Sequence, residues 1–377
     1  MGTVGYQMGT EYCWILDNRL LFDYYSTIVR WKYLMMFNPK YKITENLLAN
    51  IKRITALVAE LNGKHFQKNV IVAMEKVARE LSTFASTSIE GNPLPLTEVK
   101  KVLKNRPENL RDTEREVINY NRALEELDAA IRDNKVSLNL KLILRIQGTV
   151  TKGLILKSRN GKLRKEHVFV NDPRTGKPIY WPPDHKDVAK LMNDLVDFVN
   201  KKRNAIDPLI LAGIFHKQFV IIHPFIDGNG RTARLATKVL LASMGLNTFA
   251  LFSFENYYNR NVTKYFEKVG VHNNYYDIKD RIDFTGWLEY FTDGIIDELL
   301  RVGKEMNTSQ ISPDTGMKPH DKLIIKFIKE HGYISDREYS KSTDRAKATR
   351  TKDFKRLIGL GIIEKKGKGK ATYYRMK

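Results

Sequence analysis

The chain has 377 residues, 42% hydrophobic and 28% charged, the balance of a folded globular protein with length for two or three domains. A single cysteine, Cys13, excludes a disulfide framework and a cysteine-based metal cluster, and fits a reducing compartment. The formal charge of +21 is uneven: residues 318–377 hold 18 Lys/Arg against 7 Asp/Glu, so +11 of it lies there and points to a polyanionic partner such as nucleic acid. A solvated basic surface is the plainer alternative.

Residues 1–36 are rich in Tyr, Trp, Leu and Met without a clean helical face. Asp17, Arg19, Asp23, Arg30 and Lys32 interrupt every apolar run there, so no membrane segment is expected and the cytoplasm is the default location. The pattern becomes regular only after Met35-Met36, so translation is expected to start there, with 1–36 as an upstream extension.

From Thr44 to Leu61 the positions Leu47, Leu48, Ile51, Ile54, Leu57, Val58 and Leu61 predict an amphipathic helix, stopped by Asn62-Gly63. A second helix is predicted with Val70, Met74, Val77, Leu81 and Phe84 on its buried face, running to Ser86-Thr-Ser-Ile-Glu90 and broken at Gly91-Asn-Pro93. Glu90 then stands at the negative end of the helix dipole, which disfavours a carboxylate by about 0.3–1 kcal/mol. It is either a solvated surface residue or one with a cationic partner elsewhere. Helices follow from Thr97, from Thr113 to Ile131 and from Leu138 to Gly153. The alternation of Lys162–Val170 and of Pro178–Trp181, around the turn-rich Asn171–Gly176, predicts a β-hairpin.

A helix is then predicted from Val188 through Phe198, another over 208–222, and another from Leu235 to a stop at Gly245. One more runs through Tyr257, Tyr265, Phe266 and Val269, and a last one carries Trp287, Leu288, Phe291, Ile295 and Leu299. The expected layout is a helical region at 37–135, a catalytic core at 136–300, a linker at 301–319 and a compact basic unit at 320–377. That unit reads as three helices, the third being Ser342–Ile358, and a hairpin with a Lys/Gly tip, the pattern of a winged helix-turn-helix. Such modules bind DNA or other proteins.

Residues 223–234, His-Pro-Phe-Ile-Asp-Gly-Asn-Gly-Arg-Thr-Ala-Arg, concentrate the chemistry. A Gly-Asn-Gly turn at a helix start presents backbone N–H groups and the helix dipole to an anion. Arg231 and Arg234 project beside it as bidentate phosphate donors. Asp227 would be repelled by phosphate unless a cation lies between, which suits Mg²⁺. His223 stands where it can take a proton from a hydroxyl. The alternative is a glycine-rich loop with a buried His and an Asp cap.

This stretch resembles the full signature of the Fic-domain proteins, HxFx(D/E)GNGRxxR, without departure, and the resemblance extends over roughly 37–300. It implies a mainly α fold: a helical bundle with a β-hairpin flap, an N-terminal helical region and, here, a C-terminal winged helix. It also implies transfer of AMP from ATP to Tyr, Thr or Ser hydroxyls of target proteins. In that reading His223 is the general base and Asp227 holds Mg²⁺. Gly228, Asn229, Gly230, Arg231 and Arg234 bind the phosphates. Tyr265 and Asn273 lie near the adenine, and His167, Val168, Phe169 and Val170 form the flap that aligns the target. The family's usual Asn-Arg is Asn261-Val262 here, which leaves that wall of the pocket open to question. Ser86-Thr-Ser-Ile-Glu90-Gly91 matches the family's inhibitory (S/T)xxxE(G/N) motif, with Glu90 withholding Arg234 from the γ-phosphate. Related enzymes use the same Glu to remove AMP, and some members transfer UMP, phosphocholine or phosphate. An intact Gly230 favours AMP. The competing reading is a nucleotide-sensing DNA-binding regulator with little catalysis. An assembly of identical chains is compatible with either.

Overall fold

The structure is a computed structural model that describes residues 37–63, 68–133, 137–172, 175–242, 251, 253–311, 318–359, 362–367 and 369–376. The expectations for 1–36 and for the Gly245 stop lie outside the described residues. The chain is mainly helical, as its periodicity predicts. In order, α1 is Glu45–Asn62, α2 Lys68–Ile89, α3 Leu96–Asn105, α4 Asp112–Arg132 and α5 Leu140–Val150. After β1 (Val170–Asn171) and β2 (Pro178–Trp181) come α6 (His185–Lys202), α7 (Pro208–Ile222), α8 (Asn229–Ala242), α9 (Phe254–Arg260) and α10 (Val262–Val269). β3 (Asn273–Asn274), α11 (Tyr275–Ile278) and α12 (Thr285–Ile311) complete this body.

Its centre is α7. Leu209 to Ile222 is buried at every position but Val220, because the helix has no polar face to offer solvent and must be surrounded. Leu211, Ile214, Phe215 and Phe219 pack there with Leu235, Trp287, Leu288 and Phe291 from its neighbours. Asp207 caps its start by accepting from the Leu209 amide at 2.8 Å, with Pro208 in the first turn. At the other end α1 lies against α12, tied by Asn50 donating to Thr292 Oγ1 at 3.0 Å and Asp293 Oδ1 at 2.8 Å.

Four sequence expectations for this body are corrected. On α2, Val77 is 45% exposed, while Met74, Ala78, Ser82, Ala85, Ser86 and Ile89 are buried. The buried face is partly hydroxylic because it meets charged groups, so an apolar-only template turns the helix the wrong way. The hairpin is shorter than the alternation predicts. Only Val170–Asn171 pairs with Pro178–Trp181, and β2 gains β3 as a parallel partner. Residues before Val170 leave the ladder because the Arg164 amide donates to the Pro224 carbonyl and its side chain runs inward. The single helix through Tyr257 and Val269 is two, interrupted at Asn261, whose side chain caps α10 by accepting from Lys264. Finally, α12 continues to Ile311, well into the expected linker, since Val302 and Met306 belong to the main core.

The C-terminal residues pack around a separate core. Helices α13 (Pro319–His331), α14 (Asp336–Lys341) and α15 (Lys347–Gly359), with β4 (Ile363–Lys366) and β5 (Tyr373–Met376), enclose Ile324, Ile328, Tyr339, Phe354, Leu357 and Ile363. β4 and β5 are antiparallel, and Ile334 bridges to Tyr374 at their edge. The third helix begins at Lys347, later than the sequence predicts, because Arg345 ahead of it is held by Asp353.

Candidate active site

His223 terminates α7 in the left-handed region, at φ 49 and ψ 60. Among non-glycine residues this conformation is commonest for Asn, Asp and His. It turns the chain into the loop His223–Gly228 ahead of α8. Phe225 is fully buried and anchors the loop against Phe219, with ring centroids 6.1 Å apart. Asn229 closes it from the far side: its side chain accepts from the Phe225 amide and donates to the Phe225 carbonyl, both at 2.9 Å. The Asn229 side chain is therefore a loop brace, and its backbone N–H is the group left for the anion that the sequence pattern expects there. Gly228 has φ 80, and a Cβ there would come within 2.8 Å of the Thr151 methyl. Gln147 supports the loop from α5 by donating to the Asp227 carbonyl at 3.1 Å.

The loop delivers the start of α8, whose first amides lack intrahelical partners, and sets two arginines beside it. Arg234 is fully buried. Its Nε donates to Ser86 Oγ at 2.8 Å, and its Nη2 to the Ser86 carbonyl at 3.0 Å and to Glu90 Oε1 at 2.7 Å. Nη1 is shielded from solvent and has no hydrogen-bond partner among the described residues. A Cβ on Gly230 would lie 2.9 Å from that Nη1 and would collide with Glu90 Oε1. The Glu90 carboxylate thus rests against the helix start, in the place an anionic ligand would take. Burial alone would raise its proton affinity, but Arg234 and then Arg231 outweigh that and hold the carboxyl below its ordinary range. Arg234 is raised in turn by Glu90, against its own burial.

Arg231 is also committed, through Nη1 to Glu116 at 2.6 Å and Nη2 to Asp227 at 2.8 Å. Glu116 accepts at 2.7 Å from Asn92, which stands in the turn that follows Glu90. The turn after α2 is therefore tied to α4 and α8 as well as to Arg234. Behind Arg234 a second buried network fixes α2: Lys238 donates to Ser82 at 2.6 Å, and Ser82 and Tyr120 donate to Glu255 at 2.8 and 2.9 Å.

His223 is half-buried, and desolvation pulls its imidazolium down to about 4; the Val220 backbone pushes back, Arg164 adds to the fall, and Glu90 and Asp227 oppose it. The ring is neutral at physiological pH, the state a proton acceptor needs. Asp227, 41% exposed at the loop tip, is the accessible carboxylate of the site.

Several expected residues lie elsewhere in the architecture. Tyr265 is 1% exposed and is not an open pocket wall. It stacks on Tyr258 with centroids 4.6 Å apart, and its hydroxyl meets Nε2 of the buried His216 at 3.1 Å. Because Thr237 donates to the Ala233 carbonyl, its oxygen accepts from His216 Nδ1–H, so Nε2 accepts from Tyr265. Burial raises the Tyr265 hydroxyl above its ordinary range, and the nearby charge of Arg234 pulls it back. Asn273 is exposed, with φ 72, and its backbone pairs with Tyr180 of the flap sheet. In the flap, His167 and Phe169 are exposed, Val168 is half-buried and Val170 pairs with Tyr180.

Sequence reasoning missed Arg164. Its guanidinium donates to the carbonyls of His223 at 2.8 Å, Glu166 at 2.9 Å and Pro183, with a longer contact to Ile222. It joins the flap to the loop that carries His223. No pattern marks it, because it contacts only backbone oxygens.

The helical bundle thus gathers a helix start, two arginines and a histidine beside a short β-flap. Residues 137–241 match the Fic/DOC family. It is 28% identical over 217 residues to the protein adenylyltransferase Fic of Aedes aegypti, covering 52% of this chain and 42% of that one. With the protein of the same name from Drosophila grimshawi it shares 31% identity over 189 residues, 49% of this chain and 37% of that one. The chain spans less than half the length of these curated relatives. Among solved structures, a Fic family protein from Desulfovibrio desulfuricans superposes with a TM-score of 0.62 at 21% identity, covering 90% of this chain and 98% of that one. Residues 134–508 of Fic-1 from C. elegans superpose with a TM-score of 0.56 at 20% identity, covering 79% of this chain and 80% of that one. The fold is theirs.

Proposed function

We propose that this protein is a protein adenylyltransferase that moves AMP from ATP to a hydroxyl of a target protein, and that Glu90 holds it inactive. The reading is carried by the pairing of Arg234 with Glu90 at the start of α8, in a domain whose curated relatives bear that activity in their names. The hydroxyl oxygen attacks the α-phosphorus, the bond to the β-phosphate oxygen breaks, and pyrophosphate leaves. His223 accepts the hydroxyl proton. The amides at the start of α8 and Arg231 balance the phosphate charge, and Arg234, once released by Glu90, grips the γ-phosphate.

The donor set suits Mg²⁺. Asp227 is an exposed carboxylate beside the anion site, and this ion is typically held by one or two carboxylates plus substrate phosphates and water. When bound, the ion would offset the charge of the pyrophosphate leaving group. The outer edge of β1 and Phe169, 56% exposed, offer the target an added-strand docking place. The reaction type is tested by incubating the Glu90→Gly protein with ATP labelled either at the α- or at the γ-phosphate. Label transferred from the α position alone is expected. Transfer from the γ position would replace this reading with a phosphotransferase.

The C-terminal unit supports a second role. Its three-helix and hairpin order is that of a winged helix, and two sets of basic residues stand out on α15 and its surroundings. Arg345, Arg350 and Arg356 are bound internally by Asp353, Asp336 and Asp321. Lys347, Lys352 and Lys355 on α15 and Lys365 on β4 are exposed. Lysines act as point charges, whereas bidentate base reading calls on free arginines. The expected contact with DNA is therefore to phosphates and indifferent to sequence. Four such contacts give a slope of about −3 to −4 in log affinity against log salt. The full chain should be retained on duplex DNA at low salt with that dependence, and a Lys352→Glu/Lys355→Glu variant should elute earlier. Equal elution of both proteins would remove this role.

A further inference from the structure

We propose that His167, Asp184 and His185 form a binding site for a divalent transition metal, Zn²⁺ being the best match, which pins the flap to the start of α6. The ligand atoms of the three residues all lie within 4.8 Å of one another. His185 Nδ1 is 3.1 Å from Asp184 Oδ1, and His167 Nε2 is 3.7 Å from Asp184 Oδ2. The two imidazoles stand perpendicular with centroids 5.3 Å apart. A tetrahedral ion with nitrogen and oxygen ligands at about 2.0–2.1 Å separates those atoms by about 3.3–3.4 Å. The two distances, each to a different oxygen of the one carboxylate, lie on either side of that value.

A second observation points to a shared ion. Nδ1 of His185 is shielded from solvent and makes no hydrogen bond, although a carboxylate oxygen is close by. The contact is near but not aligned for a proton, and a cation between the two atoms satisfies both. The carboxylate and its neighbour are already fixed. Asp184 caps α6 by accepting from the Lys186 amide at 2.9 Å, and its own amide donates to the Tyr276 hydroxyl at 3.0 Å. The preceding Pro183 carbonyl is held by Arg164. His167, with a side chain 69% exposed on the flap, is the ligand that can move.

Two imidazoles and one carboxylate favour Zn²⁺, Ni²⁺ or Cu²⁺ over Mg²⁺ and Ca²⁺, which take oxygen ligands. Three protein ligands leave a fourth position for water or for a side chain of a docking partner. The positive charges of Lys186 and Arg164 near Asp184 oppose a cation. Arg164 is already satisfied by carbonyl oxygens, and metal–nitrogen bonds are stronger than that repulsion at an exposed site. The metal site stands apart from the transferase reading; only its influence on target docking rests on it.

Cobalt titration of the metal-free full chain tests the proposal. One equivalent of Co²⁺ should bind saturably with the visible absorption of a tetrahedral site, and Zn²⁺ should displace it. His167→Gln and His185→Gln should each weaken binding at least tenfold, with metal-free thermal midpoints matching the parent. Zn²⁺ should also slow amide exchange at 167–171 in the parent and not in His167→Gln. Absence of saturable binding, or binding unchanged in both variants, overturns the proposal, and neither readout depends on catalysis.

Discussion

Glu90→Gly is expected to raise ATP-dependent self-labelling by about 10- to 100-fold. The pair it breaks is a charge-assisted hydrogen bond to a fully buried guanidinium. Such bonds contribute about 1.5–3 kcal/mol, and ~1.4 kcal/mol corresponds to a factor of ten. The variant leaves Arg234 with its two Ser86 contacts and frees one N–H of Nη2, beside the orphan Nη1, for an incoming phosphate. It also clears the space over Gly230 that the carboxylate fills. Measured by label incorporation at saturating ATP, an unchanged or lower rate would contradict inhibition by Glu90.

The second large effect is loss of reaction on replacing His223. In the Glu90→Gly background, His223→Ala should lower the labelling rate by ~10²–10⁴, the usual contribution of a positioned general base. Burial sets the accompanying pH dependence. With its imidazolium down at about 4, His223 is neutral from that pH upward, and the rate should fall only as pH drops towards that value. Glu90 raises the proton affinity of His223, so its removal should shift the acid limb lower still. A rate that falls already around pH 6.5, the ordinary imidazole value, would show that another group titrates. A His223→Ala protein as active as its parent would remove the assigned base.

The sequence carried the loop and its helix with little loss, because local rules govern them. Glycines at the turn, an apolar run before it and arginines after it are legible without knowing what packs nearby. From local rules Glu90 is legible only as a residue against its preference, since its partner lies on a helix far along the chain, and Arg234 comes into view only through the resemblance of 86–91 to the inhibitory motif. The rest depended on tertiary contact. The motif marks the Asn229 backbone for an anion but does not reveal that its side chain closes the loop on Phe225. Arg164 sits in an alternating pattern that predicts a strand, and it leaves the strand to reach carbonyls of the loop at His223 and Pro183. The buried face of α2 was misassigned because Ser82 and Ser86 face charged partners, and hydroxyl groups do not register in an apolar period. In the C-terminal unit, counting charge could not separate the arginines held by Asp321, Asp336 and Asp353 from the exposed lysines.

The central claim is that Glu90 and ATP compete for Arg234. It is tested most directly by measuring self-labelling in four proteins: the parent, Glu90→Gly, Arg234→Ala and the double variant, each checked for an unchanged fold by thermal melting. If the two ligands share Arg234, the gain from Glu90→Gly vanishes once Arg234 is gone, and both Arg234→Ala proteins label equally weakly. A gain of the same size with and without Arg234 would contradict that account.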